Sequence, residues 1–261
     1  GDHSRRRLLM SAVIFIKSAF PSQTIYRLTH RAVTMAPRFE IYVKAASDGR
    51  SVGDCPFSQY VCMVADIKIP KDQYTLKPVD FSNKTKEFLE LNPSGSVPVL
   101  VDTSTNKVIA DSQLIVKEID KLFPEPDLKS TYDGPAVQAC SSVFPKLAAF
   151  LKNKDQDKIP ELRKALEDEL TKLDLFLKSE HCCGPFLVGD KMCALDCSLL
   201  PKLRHLQVAG KYFQKFEIPE SLDALCRYIE AGEACEPFKN TKYDDEEIIK
   251  GWGRHGLMKV E

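Results

Sequence analysis

The chain has 261 residues, 43% hydrophobic and 28% charged, which is enough for one large or two modest globular domains. Lys plus Arg and Asp plus Glu both number 37, so no basic excess points to nucleic acid. The charge is uneven, however: residues 1–38 hold six Arg and Lys17 against Asp2 alone, and they are rich in Ser and Thr. The apolar run in this segment, residues 8–16, is broken by Ser11, stopped by Lys17 and too short to span a bilayer. Such a composition is that of an organelle transit peptide, and an artificial or untranslated leader before a start at Met35 is the other reading. On either reading, residues 1–37 form a leader outside the fold.

After the leader, Phe39, Ile41 and Val43 alternate with polar neighbours and predict a strand. A polar loop over 46–54 follows. Past Cys55-Pro56, the residues Phe57, Val61, Val64 and Ala65 recur at i, i+4, i+7 and i+8, a helix with one buried face that stops before Pro70. Residues 73–79 predict a second strand, 84–91 a short helix, and 97–101 and 107–110 two strands joined by a polar turn. Asp111-Ser112 then opens a helix through Leu114, Ile115, Ile119 and Leu122. The order β-α-β-α-β-β-α is the thioredoxin-like arrangement, an α/β domain with a mixed sheet, here over 38–123. "FPEPDLKS" at 123–130 carries two prolines and no periodicity and marks a linker over 124–134. Beyond it, Ile159, Leu162, Leu166, Leu170, Leu173 and Leu177 are spaced by 3, 4, 4, 3 and 4. Together with Leu195, Leu199, Leu203 and Leu206, they predict an all-α domain over 135–250. Residues 251–261 read as a tail and, with 244–247 and Trp252, as a surface extension.

Nine cysteines, an odd number at irregular spacing, argue against a disulfide scaffold and for a reducing compartment. No repeated C-x₂-C pair is present, so no metal site is expected. Cys55 stands apart because it sits where the first helix starts. Pro56 fits the first turn, since its missing N–H is not needed there. The free amides and positive end of the helix dipole then face the sulfur and favour the thiolate, its reactive form. Ser58 occupies the position where a Cys-x-x-Cys pair would carry its second thiol. Cys62 lies two helical turns on, about 10 Å of rise away and beyond disulfide reach. An oxidised Cys55 must therefore be resolved from outside, which implies a small thiol cosubstrate.

"Ser-Val-Pro-Val" at 96–99 opens a strand with a proline. In this fold that proline is commonly cis and turns the backbone of the preceding residue outward, so that Val97 can pair with an extended peptide. Asp111 and Ser112 read two ways, as a helix cap or as a site for the amino and carboxylate ends of a γ-glutamyl group. Lys84 is either a lone surface lysine or the partner of a glycine carboxylate at the other end.

The motifs "VKAASDGRSVGDCPFSQ" (43–59), "LNPSGSVPVL" (91–100), "ADSQLIV" (110–116), "FPEPDL" (123–128), "GPFLVGD" (184–190) and "LPKLRHLQVA" (200–209) span both domains. In them the chain resembles the glutathione transferase superfamily and, within it, the dehydroascorbate reductases of plants and green algae. The resemblance implies reduction of dehydroascorbate to ascorbate by two glutathiones, with no bound cofactor. Cys55 would be the nucleophile, with Lys44 and Asp54 on dehydroascorbate and His205 closing the far side of the pocket. Lys84, Val97, Pro98, Asp111 and Ser112 would form the glutathione site. It further implies a monomer that binds neither nucleic acid nor membrane, in the chloroplast stroma by its leader, or in the cytosol if translation starts at Met35.

The sequence departs from the pattern at three places. Tyr60 replaces an arginine, so that charge cannot help the thiolate. Cys193 replaces the hydroxyl residue of a capping box that ends in Asp196, which would weaken that cap. Residues 63–66, Met-Val-Ala-Asp, are less leucine-rich than the family's helix. Two alternatives share the motif set in part. One is a chloride intracellular channel-like protein, whose opening also reads "CPFSQ"; here the helix carries Asp66 and Lys68 and makes a poor span. The other is a general glutathione or thiol transferase.

Overall fold

The computed structural model describes residues 36–129 and 134–257; all but the last two residues of the leader fall outside them. Strand β1 (Phe39–Lys44) buries Phe39, Ile41 and Val43 and presents the residues between them to the other face. Helix α1 (Pro56–Lys68) carries the chain to β2 (Tyr74–Val79), which pairs parallel with β1. Helix α2 (Lys86–Leu91), capped by the Thr85 hydroxyl, leads to β3 (Val99–Asp102), antiparallel to β1, and on to β4 (Lys107–Ile109). The sheet order is β2-β1-β3-β4, and helix α3 (Ser112–Leu122) follows. Val79, Val99 and Val101 pack with Phe88 of α2 on one face; the other face joins the main core under α1 and α3.

The single buried face expected for α1 is a misreading. Residues Ser58 to Ala65 are all buried, because α3, α7 and α10 pack around α1 besides the sheet, whereas Phe57 is 39% exposed. Tyr60 is 2% exposed and belongs to the main core. At the far end of α1, the buried Lys68 ammonium pairs with Asp120 of α3 and donates to the Pro126 carbonyl at 2.8 Å, pinning the segment that leads out of the first domain.

The rest is helical: α4 (Pro135–Cys140), α5 (Val143–Lys152), α6 (Ile159–Leu177) and α7 (Ala194–His205), then one π-helical turn over Leu206–Gly210 and α8 (Lys211–Gln214). Helices α9 (Asp223–Glu233), α10 (Glu236–Thr241) and α11 (Asp245–Gly253) complete it. The weak cap expected at α7 is compensated. Asp196, with no exposed surface, accepts from the amides of Cys193 (2.8 Å) and Leu187 (3.0 Å) and from the Tyr228 hydroxyl (2.9 Å). No described helix is long and apolar enough to cross a membrane.

The surface extension read at the C-terminus is also corrected. Ile248 and Trp252, one turn apart on α11, are both buried, with Trp252 only 6% exposed. The helix docks against the loop after β1, where the Glu247 carboxylate accepts from the Ser47 amide (2.7 Å) and hydroxyl (2.5 Å).

Candidate active site

The end of β1, the start of α1 and the C-terminal helix meet around one sulfur. Lys44 closes β1, and the chain returns through a tight turn in which the Gly53 amide donates to the Lys44 carbonyl at 2.7 Å. A Cβ at Gly53 would overlap the Ala45 carbonyl, so only glycine permits this approach. The turn sets Asp54 against Lys44, with Nζ to Oδ1 at 2.6 Å and both side chains largely buried. The next residue, Cys55, is the N-cap of α1, and its sulfur accepts from the Ser58 amide at 3.4 Å.

Burial pushes the Cys55 thiol up. The Ser58 hydroxyl, the Ser58 and Phe57 amides and the Lys44 charge all pull it down without overcoming that push. The thiolate-favouring groups expected from sequence are therefore present, set against the burial of the sulfur. Cys55 is half-buried and lines the cavity, whereas Cys62 is 2% exposed and pushed up to about 12. The Ser58 hydroxyl is buried one turn on from the sulfur, whose observed donor is the Ser58 amide.

A cavity of about 320 Å³ opens over Cys55. Lys44, Asp54, Ser96 and Val97 line it from the thioredoxin-like side, and Phe144, Lys152 and Trp252 are among its residues on the helical side. Phe57 packs edge-on to Phe144 at 5.5 Å, and Phe144 lies 6.2 Å from Trp252, which makes the helical wall largely aromatic. Behind it, Trp252 Nε1 donates to His205 Nδ1 at 2.9 Å, and His205 Nε2 meets the Tyr243 hydroxyl at 2.7 Å. The ring of His205 reaches the cavity, but both nitrogens are engaged. His205 thus lies on the helical side of the cavity, with its ring held by Trp252 and Tyr243.

Of the sequence-predicted set, Lys44, Asp54, Cys55, Val97 and His205 share this cavity, while Lys84, Pro98, Asp111 and Ser112 do not line it. Val97 lies just beyond the β1–β3 register, which ends at Val99, and its peptide bond to Pro98 is cis. The Asp111 carboxylate caps α3 through the Leu114 amide at 2.9 Å, and Ser112 follows, half-buried in the first turn. The Lys84 ammonium lies 4.3 Å from the ring centre of Phe81, itself a lining residue. Sequence reasoning missed Trp252, Phe144, Lys152 and Gly251. Gly251 lies so close to Asp54 that a Cβ there would overlap the carboxylate. Among the described residues, no cluster of His, Cys, Asp and Glu suits a metal.

A family profile described as a CLIC-like N-terminal domain matches residues 37–124. Over both domains, the chain is 39% identical to Arabidopsis thaliana glutathione S-transferase DHAR2, covering 82% of this chain and 96% of the relative. It is 37% identical to the same plant's chloroplastic glutathione S-transferase DHAR3, covering 85% and 83%. Among solved structures, dehydroascorbate reductase of Chlamydomonas reinhardtii superposes with a TM-score of 0.75 at 32% identity, covering 85% of this chain and all of that one.

Proposed function

This chain belongs to the dehydroascorbate reductases of the glutathione transferase superfamily, and on that premise we propose that it reduces dehydroascorbate with two glutathiones through Cys55. The observation that carries this reading is a lone cysteine at a helix start, with serine one turn on, beneath a cavity that also holds the Lys44–Asp54 pair. In the first step, the Cys55 thiol, dehydroascorbate and one water give ascorbate and a sulfenic acid; two electrons leave the sulfur and two protons reach the ring. Glutathione then condenses with the sulfenic acid, releasing that water and leaving a mixed disulfide. A second glutathione thiolate attacks the glutathione sulfur, and Cys55 departs as thiolate with the helix start beneath it. The sum is dehydroascorbate plus two glutathiones to ascorbate plus glutathione disulfide. Glutathione is a cosubstrate, and no metal or prosthetic group takes part.

Lys44 and Asp54 supply a donor and an acceptor to the ring oxygens of dehydroascorbate. Val97, past the end of the strand ladder, pairs with the glutathione backbone. Asp111 and Ser112 hold the γ-glutamyl end, and Lys84 the glycine carboxylate. The test is stoichiometry: the wild type should consume two glutathiones per ascorbate formed, and Cys55→Ala should form none above the uncatalysed rate. Full turnover in that variant would sink the proposal. Chloride flux into liposomes without dehydroascorbate turnover would favour the channel-like alternative.

The same reading places a monomer in the chloroplast stroma. The acid-poor, Arg-, Ser- and Thr-rich leader supports the address. Mapping the native N-terminus tests it, since an acetylated start at Ala36 would point to the cytosol. Gel filtration tests the monomer, and a mass near twice 29.4 kDa would overturn it.

A further inference from the structure

The two glutathiones in this cycle cannot use one site. While the first is joined to Cys55, it fills the strand-edge subsite at Val97, so the second must reach its sulfur from elsewhere. Displacement at a disulfide runs in line, with the attacking sulfur, the central sulfur and the leaving sulfur in a row. The attacking thiolate must therefore come through the cavity, where the other wall belongs to α5 and α11. Glutathione carries two carboxylates and one ammonium, and as a thiolate it bears a further negative charge.

The cations available to it are limited. Lys44 is already ion-paired with Asp54 at 2.6 Å. Lys152, the last residue of α5, lines the same cavity, is exposed, and ion-pairs with no carboxylate among the described residues. Its ammonium stands 5.8 Å from the ring centre of Trp252, so the indole face holds a cation at the rim without cancelling its charge. Dehydroascorbate is uncharged and does not call for such a cation.

Resting on the function proposed above, we propose that the Lys152–Trp252 rim is the docking site of the second glutathione, with the Lys152 ammonium receiving one of its carboxylates while its thiolate attacks the mixed disulfide. The bond from Cys55 to the glutathione sulfur breaks, the bond between the two glutathione sulfurs forms, and the electron pair leaves on Cys55.

The test isolates that half-reaction. Wild type and Lys152→Met are converted to the Cys55–glutathione mixed disulfide with glutathione disulfide, freed of excess, and mixed rapidly with glutathione or with neutral 2-mercaptoethanol. Losing one charge-assisted contact should slow release by glutathione about ten-fold and leave release by 2-mercaptoethanol unchanged. Added salt should slow the wild type more steeply than the variant. Equal rates with glutathione, or equal slowing with both thiols, would overturn the site. An equal slowing of the oxidation of reduced enzyme by dehydroascorbate would overturn it too, by assigning Lys152 to the first substrate. Because the mixed disulfide is made without dehydroascorbate, its chemistry remains readable even if dehydroascorbate fails to oxidise Cys55, a failure that would belong to the function alone.

Discussion

The Trp252 indole donates to Nδ1 of His205 at 2.9 Å, and this bond decides which proton the imidazole carries. With Nδ1 accepting, Nε2 holds the hydrogen and donates it to the Tyr243 oxygen at 2.7 Å. Burial, with the Lys44 charge behind it, pushes the His205 pKa down to about 3. The ring is therefore a neutral brace between α7, the segment before α11, and α11 itself.

That brace makes stability fall in mild acid. The folded pKa lies below the ordinary value of 6.5, so the unfolded chain binds the extra proton. The contribution of His205 is complete above pH 6.5 and is lost as pH falls toward about 3. Between 6.5 and about 4.5, above the carboxylate range, the unfolding free energy from urea titrations should drop by up to about 1.4 kcal/mol per pH unit. His205→Gln should flatten that slope, and an unchanged slope in the variant would contradict the assignment.

Reactivity of Cys55 should rise with pH. Since burial raises its thiol above the ordinary value, iodoacetamide should alkylate it faster as pH climbs through that raised pKa. Lys44→Met and Ser58→Ala each remove a lowering influence and should move the profile to higher pH. A shift to lower pH in either variant would show that these groups do not act on the sulfur as argued. Cys62→Ala should leave the profile in place.

Gly251→Ala should act on a residue far away in sequence. Its Cβ would displace the Asp54 carboxylate and so loosen the pair with Lys44. The KM for dehydroascorbate should rise about ten-fold, the scale of one lost charge-assisted hydrogen bond, with a smaller change for glutathione. Asp54→Asn should give the same pattern. Steady-state kinetics with each substrate varied in turn would show it, and a change confined to glutathione would reverse the roles assigned here.

Asp196→Asn should unfold more easily than any surface change. The carboxylate accepts from two amides and the Tyr228 hydroxyl without touching solvent, and an amide side chain would turn an N–H₂ toward one of those donors. A loss of about 3 kcal/mol in unfolding free energy, read from denaturant titration, is expected. A change under about 0.5 kcal/mol, the ordinary size of a surface effect, would show that the network relaxes around the substitution.

The thioredoxin-like half was legible because its signals are local: alternation in β1, Cys55-Pro56 at a helix start, Asp111 at another. Strand and helix ends shifted by one or two residues, as at Lys84, which precedes α2. The all-round burial of α1 was not legible, since periodicity cannot tell that helices from a second domain will cover the polar side. Helix α11 was missed because two glycines and an acidic start disguise it. Its signal was present in the acids Asp245 to Glu247 in the first turn, Lys250 in the last, and Ile248 four residues before Trp252. The two bonds of His205 lie beyond any pattern, because their partners stand 38 and 47 positions further along the chain.

The bond between Ser47 and Glu247 spans 200 positions of the chain. During synthesis, Cys55 and its helix emerge long before α11, and domains fold in the order they appear. The reactive sulfur is thus made early, while the wall that turns its surroundings into a pocket arrives only with α11. A nascent chain, or one cut short before Trp252, carries the thiol without the enclosure. A complete pocket therefore requires the chain through Trp252.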